Sequence, residues 1–244
     1  MRISSGFLAV ATVCLALAAA NAGDGYRLLE MNGHDVKWGI AKSGTGASLS
    51  YAVVAGPSAS SGINNCRAIT GVNTLLARSG LSALQFDGEL AAAFGMWENA
   101  ADIHFFPAKN PAAADLLIAA EAAPDGVAYA DVTPASSGGQ RFDRIAKGMV
   151  CLNPQQFWSA AEGPLAGRPV IDRKSYRLRY VLAHEIGHVL GLDHPSPSGE
   201  LMSFEYSGRL EGLQPGDIAG IVALYGPSRA RSATPIVALN LAGR

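Results

Sequence analysis

Three histidines in the eleven-residue run His184-Glu185-Ile186-Gly187-His188-Val189-Leu190-Gly191-Leu192-Asp193-His194 can meet at one point only if the chain folds in a particular way. Residues four apart on an α-helix lie one above the other, so His184 and His188 project together from one helical face. His194 joins them only if the helix stops and the chain turns back, and Gly191 can take the left-handed conformation that ends a helix. Three converging imidazoles form a zinc ligand set that leaves the fourth tetrahedral position open, the arrangement of a catalytic rather than a structural ion. Zinc lowers the pKa of water there from 15.7 to about 7, and Glu185 is the candidate base for its proton. Histidines that were merely packed or solvated would need neither the glycine nor the third imidazole.

The pattern HExxHxxGxxH, followed by Glu200-Leu201-Met202-Ser203, resembles the metzincin metalloproteases, and the distance from His194 to Met202 resembles their matrixin branch. The resemblance makes Met202 the apolar floor under the metal, a packing role. It continues in the run Leu213 to Gly226, which ends in Leu-Tyr-Gly, and upstream in Val36-Lys37-Trp38, Phe94 to Trp97, Ala101-Asp102-Ile103 and Ala114 to Ile118. It therefore covers residues 36–226, patchily before residue 180.

This likeness implies an α+β, zincin-like catalytic domain: a twisted, mixed, mostly parallel five-stranded sheet with an antiparallel edge strand, an active-site helix and a small C-terminal subdomain. It implies a secreted zinc metalloendopeptidase that hydrolyses peptide bonds through zinc-activated water, with His184, His188 and His194 as ligands and Glu185 as base and then acid. Tyr180, one helical turn before His184, would point into the pocket for the side chain after the cut bond. Ala128 and Ala130 lie in Gly126 to Ala130, either an edge strand that pairs with an extended substrate or an ordinary edge strand. Two other classes stay open. A zinc-bearing peptide-binding protein would have no use for Glu185, and a zinc amidase acting on a non-protein amide fits Met202 and Leu-Tyr-Gly less well.

The chain departs from the family at several points. The family's second, structural zinc uses histidines before the edge strand, but only His34 and His104 remain of the five in this chain, and Tyr129 stands where one of those ligands would fall. One catalytic zinc is therefore expected. Gly216 precedes Asp217 where matrixins carry an acidic pair, so their clamp on a newly exposed N-terminus is not expected. Asp217 either braces the segment around Met202 or is a carboxylate favoured at a helix N-terminus. Asp125, Asp131 and Asp143 lie where matrixins hold calcium, and are either ligands for that second candidate cofactor or solvated turn carboxylates.

Hydrophobic residues make up 49% of the 244, and charged ones 16%, which suits one domain with a substantial core. A net charge of −1 gives no broad basic surface, so the expected partner is a protein or peptide substrate and not nucleic acid. A monomer is expected. Residues 1–22 read as an export signal: Arg2, an apolar stretch from Phe7 to Ala20, and the cleavage pattern Ala20-Asn21-Ala22. No later segment approaches the ~20 apolar residues of a membrane span, so the mature chain is expected to be extracellular or periplasmic without a stable anchor. Residues 23–226 then form the catalytic domain and 227–244 a tail.

Cleavage would remove Cys14 and leave Cys66 and Cys151, an even pair that favours a disulfide in an oxidising compartment. The competing assignment makes Cys66 a latency ligand of the zinc; Asn65-Cys66-Arg67 lacks the family's flanking sequence and follows the first strand instead of preceding it. Leu49 to Val54, Asp102 to Phe106, Asp115 to Ala119 and Lys147 to Asn153 read as strands, and residues 56–62 as a loop. Residues 87–100 read as a helix capped by Asp87, and 173–190 as the active-site helix, started by Asp172.

Overall fold

The computed structural model describes residues 25–56, 62, 64–122, 125–135, 141–161, 175–195, 199–205, 207 and 209–229. The expected export signal, Asp172 and most of the expected tail lie outside them. In chain order the strands and helices are β1 (Arg27–Leu28), β2 (Glu30–Met31), β3 (His34–Lys37), β4 (Ala47–Val53), β5 (Ile69–Thr70), α1 (Asn73–Ser79), α2 (Ala83–Ala100), β6 (Ile103–Pro107) and β7 (Leu116–Glu121). There follow β8 (Ala128–Ala135), β9 (Phe142–Leu152), β10 (Phe157–Ser159), β11 (Ser175–Arg177), α3 (Leu178–Val189), β12 (Leu192–Asp193) and α4 (Pro215–Tyr225).

Five principal strands run in the order β6-β4-β7-β9-β8, parallel except for β8, which is antiparallel to β9. Three short strands extend this mixed sheet: β3 runs parallel to the start of β9, β2 pairs with β3, and β5 pairs with β7. β7 lies inside the sheet and is buried along its whole length, which explains its unbroken apolar run Leu-Leu-Ile-Ala-Ala. Phe86, Leu90, Phe94 and Trp97 of α2, at helical spacing, pack with Leu178, Leu182 and Ile186 of α3 into the main core. A smaller core on another part of the sheet gathers Cys66, Ile69, Leu117, Met149 and Cys151. There Cys66 and Cys151 are joined as a disulfide, their Cα atoms 5.9 Å apart, which sets aside Cys66 as a zinc ligand.

Two helix starts differ from expectation. Asp87 is not a cap: the N-cap of α2 lies five residues earlier, at Ser82, which forms a reciprocal capping box with Gln85. The active-site helix begins at Leu178, not 173, because Ser175–Arg177 is drawn out as a strand against Phe157–Ser159. At the other end of the domain Pro227 bridges to Ala101, and Arg229 pairs with Asp102 at 2.9 Å, so the first residues of the expected tail pack back beside α2.

Candidate metal centre and active-site cleft

The last carbonyls of a helix have no partner within it, and at the end of α3 they are met from several directions. Leu190 and Gly191 donate back to Ile186 and His188 at 2.8 and 2.9 Å. The Trp38 indole donates to Val189 O at 2.7 Å, and the Tyr225 hydroxyl donates to Leu190 O at 2.6 Å while accepting from Trp38 N–H at 3.0 Å. This gives the Leu-Tyr-Gly sequence a physical role, because Tyr225 closes the helix that carries the histidines. Gly191 then turns the chain with φ of 100°, and a Cβ there would overlap the Val36 carbonyl oxygen.

The turn brings the three Nε2 atoms together: His184 to His188 is 3.2 Å, His188 to His194 is 3.1 Å and His194 to His184 is 3.3 Å. Ligand nitrogens about 2.0–2.1 Å from one tetrahedral zinc lie roughly 3.3–3.4 Å apart, so the set fits that ion. His184 Nδ1 lies 2.7 Å from Leu201 O and His188 Nδ1 2.9 Å from Leu192 O. A carbonyl can only accept, so the ring protons sit at Nδ1 and the Nε2 lone pairs point at one another. Burial pulls the pKa of His184 down to about 4 and of His188 to about 3, and lowers that of His194. Two imidazoles that turn Nε2 lone pairs toward each other and toward the Nε2 of a third are what a cation resolves.

Glu185 lies beside them, 8% exposed. Burial raises its pKa to about 8 against the opposing effect of the Ala130 N–H, which it accepts. Beneath, Met202 packs so closely on Gly187 that a Cβ at residue 187 would overlap its sulfur and come within 2.9 Å of the Trp97 ring. Asp217 accepts from Leu201 N–H at 2.8 Å, Met202 N–H at 3.0 Å and Gln214 N–H at 2.7 Å, so it braces the methionine segment and caps α4 at once. Glu200, in turn, accepts from Gly216 N–H at 3.0 Å.

A cleft of about 530 Å³ opens over these groups, with Tyr180, Ala128 and Ala130 in its wall. Tyr180 is buried, its ring 4.2 Å under the Arg177 guanidinium. Sequence reasoning missed two other wall residues. Phe204, 80% exposed, stands edge-on to His194 with ring centroids 5.2 Å apart. Asn65 donates from its side chain to Ala130 O at 2.8 Å. A lone Phe after Met202 was the only available signal for the first, and none marked the second.

The candidate calcium carboxylates do not converge. Asp125 is exposed, Asp143 is the second residue of β9 opposite Val36, and buried Asp131 accepts from Asn64, Asn65 and Cys66 N–H at 2.7, 2.7 and 3.3 Å. Tyr129 pairs with Cys151 in the sheet.

The shifted groups set a pH profile for the metal-free protein. The histidines, whose folded values lie below 6.5, bind fewer protons folded than unfolded, so their contribution is lost as pH falls from 6.5 toward 4. Glu185, at about 8 against 4.5, binds more protons folded, so its contribution is full below 4.5 and is lost as pH rises through 8. Between these values three imidazoles outweigh one carboxyl, and the urea midpoint should peak near pH 6.5. Glu185→Gln should remove the alkaline decline. A midpoint that is flat from pH 6.5 to 8 in the unsubstituted protein would contradict the buried carboxyl.

Residues 73–226 match the sequence profile of the family described as Matrixin. Shorter stretches match individual proteins. One is 47% identical over 60 residues to interstitial collagenase of Oryctolagus cuniculus, covering 24% of this chain and 13% of that protein. Another is 41% identical over 81 residues to matrix metalloproteinase-19 of Homo sapiens, covering 32% and 14%. A third is 48% identical over 58 residues to interstitial collagenase of Bos taurus, covering 23% and 12%. The matched stretches thus span only a small part of each relative's length.

Proposed function

Because the chain belongs to the matrixin family, we propose that it is a secreted zinc metalloendopeptidase that cuts extended protein or peptide segments, with His184, His188 and His194 holding one catalytic zinc. The triangle of facing Nε2 atoms beside a buried carboxylate carries this reading. Zinc, when bound, supplies Lewis acidity that lowers the pKa of water and polarises a carbonyl oxygen.

The chain's own residues supply the rest. The Leu201 and Leu192 carbonyls orient two imidazoles and keep their protons away from Nε2. Glu185, fixed by Ala130 N–H and tuned by burial toward the neutral range, takes a proton from the attacking water and delivers it to the departing amine nitrogen. The cleft-side edge of β8 suits an extended backbone adding as a further strand, which favours a peptide over a compact non-protein amide. Export agrees with the disulfide, a bond of oxidising compartments. Among the described residues no helix is long and apolar enough to cross a membrane.

A fluorogenic peptide library should be cleaved by the purified protein, with cleavage abolished by a chelator and restored by zinc. No cleavage by the zinc-loaded chain would overturn the reading. Within it, Tyr180 fills part of the pocket for the residue after the cut bond, favouring Leu or Met there over large aromatics. Tyr180→Leu should shift relative kcat/KM toward large aromatics by about 1–3 kcal/mol of discrimination. An unchanged profile would transfer that role to the loop after Met202.

A further inference from the structure

In an antiparallel pair, residues whose N–H and C=O face the partner strand alternate with residues whose groups face away. Asn153 N–H donates to Val127 O at 2.9 Å, which assigns Val127 and Tyr129 to the side facing β9 and turns Ala128 and Ala130 toward the cleft. For the outward groups of Ala128 no partner is found among the described residues. Ala130 differs, because its N–H is given to Glu185 and its C=O accepts from Asn65 Nδ2 at 2.8 Å. The part of the edge nearest the base is therefore already occupied by the chain itself.

Asn65 is held there firmly. The Asp131 carboxylate gathers the N–H groups of residues 64, 65 and 66, and the disulfide ties Cys66 to Cys151 on β9. Gly62 closes the segment, its N–H donating to Cys66 O at 2.6 Å, and a Cβ at Gly62 would come within 2.5 Å of the Asp131 carboxylate. Asn64 and Asn65 both line the cleft.

We propose that Asn65 is a specificity-determining latch: its side-chain amide occupies the Ala130 carbonyl that the backbone N–H of a long substrate would need. Peptides that pair only with Ala128 avoid it, and peptides that reach Ala130 must displace it. The proposal rests on the peptidase reading and on β8 as the substrate edge. Displacement exchanges one amide–carbonyl hydrogen bond for another, so the penalty is modest, about threefold to tenfold in KM.

The test uses the zinc-loaded full chain and nested peptides that share one cut bond and are lengthened stepwise on either side. In the unsubstituted protein KM should stop improving at the step where the peptide reaches Ala130. In Asn65→Ala the ratio of KM for long to short peptides should fall about threefold to tenfold. Asn65→Asp, which cannot donate and sets a negative charge against the carbonyl, should lower that ratio too. A ratio unchanged in both variants, or raised because Asn65 holds the substrate itself, would overturn the latch while leaving the peptidase reading intact. Failure of the unsubstituted protein to cleave any peptide would instead overturn the peptidase reading, and the latch with it.

Discussion

Glu185→Gln should keep one zinc per chain and lose about two to four orders of magnitude in kcat/KM. The substitution preserves shape and leaves an oxygen to accept the Ala130 N–H, but removes the carboxylate that, among the described residues, is buried beside the imidazoles. Metal analysis and peptide kinetics on the same preparation separate the possibilities. Zinc retained with activity lost is the expected pair of results, whereas near-normal turnover would show that another group handles the proton. Glu185→Ala should lose activity as well and would also leave the Ala130 N–H without its acceptor, so its folded state should be less stable than that of the Gln variant.

Gly191→Ala should destabilise the fold by about 3 kcal/mol or more and weaken zinc binding in parallel. Two independent penalties add: φ of 100° strains any residue with a side chain, and the new Cβ would overlap the Val36 carbonyl oxygen of β3. Relief requires the turn to move, and His194 moves with it while His184 and His188 stay on their helix. Urea unfolding gives the first quantity and competition with a chromogenic chelator the second. A loss below about 1 kcal/mol with unchanged zinc affinity would mean that the turn tolerates a side chain and that Gly191 does not set the third ligand.

The convergence of the three histidines and the reversal at Gly191 were legible because they depend on local geometry, a helical repeat and one glycine. The rest of the site depends on distant partners. Asp131 read as a loop carboxylate, yet it sits on β8 and clamps amides about 65 positions away in sequence. The start of α3 was placed too early because nothing local to Ser175–Arg177 announces a three-residue parallel pairing with Phe157–Ser159. For α2 the signal was present: Ser82 and Gln85 have capping-box spacing, and Asp87 was a poorer choice, being the fifth residue of the helix. Lys37 was noted only as part of an opening strand, though it is wholly buried, with Nζ donating to Trp38 O and Ile40 O at 2.8 Å and lying 4.8 Å from the Tyr225 ring centroid. Burial pulls its pKa down to about 8, an environment supplied by three separate segments.

Tyr225 lies 35 positions beyond the Leu190 carbonyl that it closes. The last hydrogen bond of the histidine-bearing helix is thus contributed by the final residue of the final helix described, long after all three histidines have been laid down. Order of synthesis acquires a meaning here: a chain still emerging from the ribosome, or one cut short before α4, holds all three histidines and Glu185 but not the hydroxyl that finishes their helix, nor the Asp217 carboxylate that steadies the methionine beneath them. The surroundings of the three histidines are thus finished only once α4 has been added to the chain.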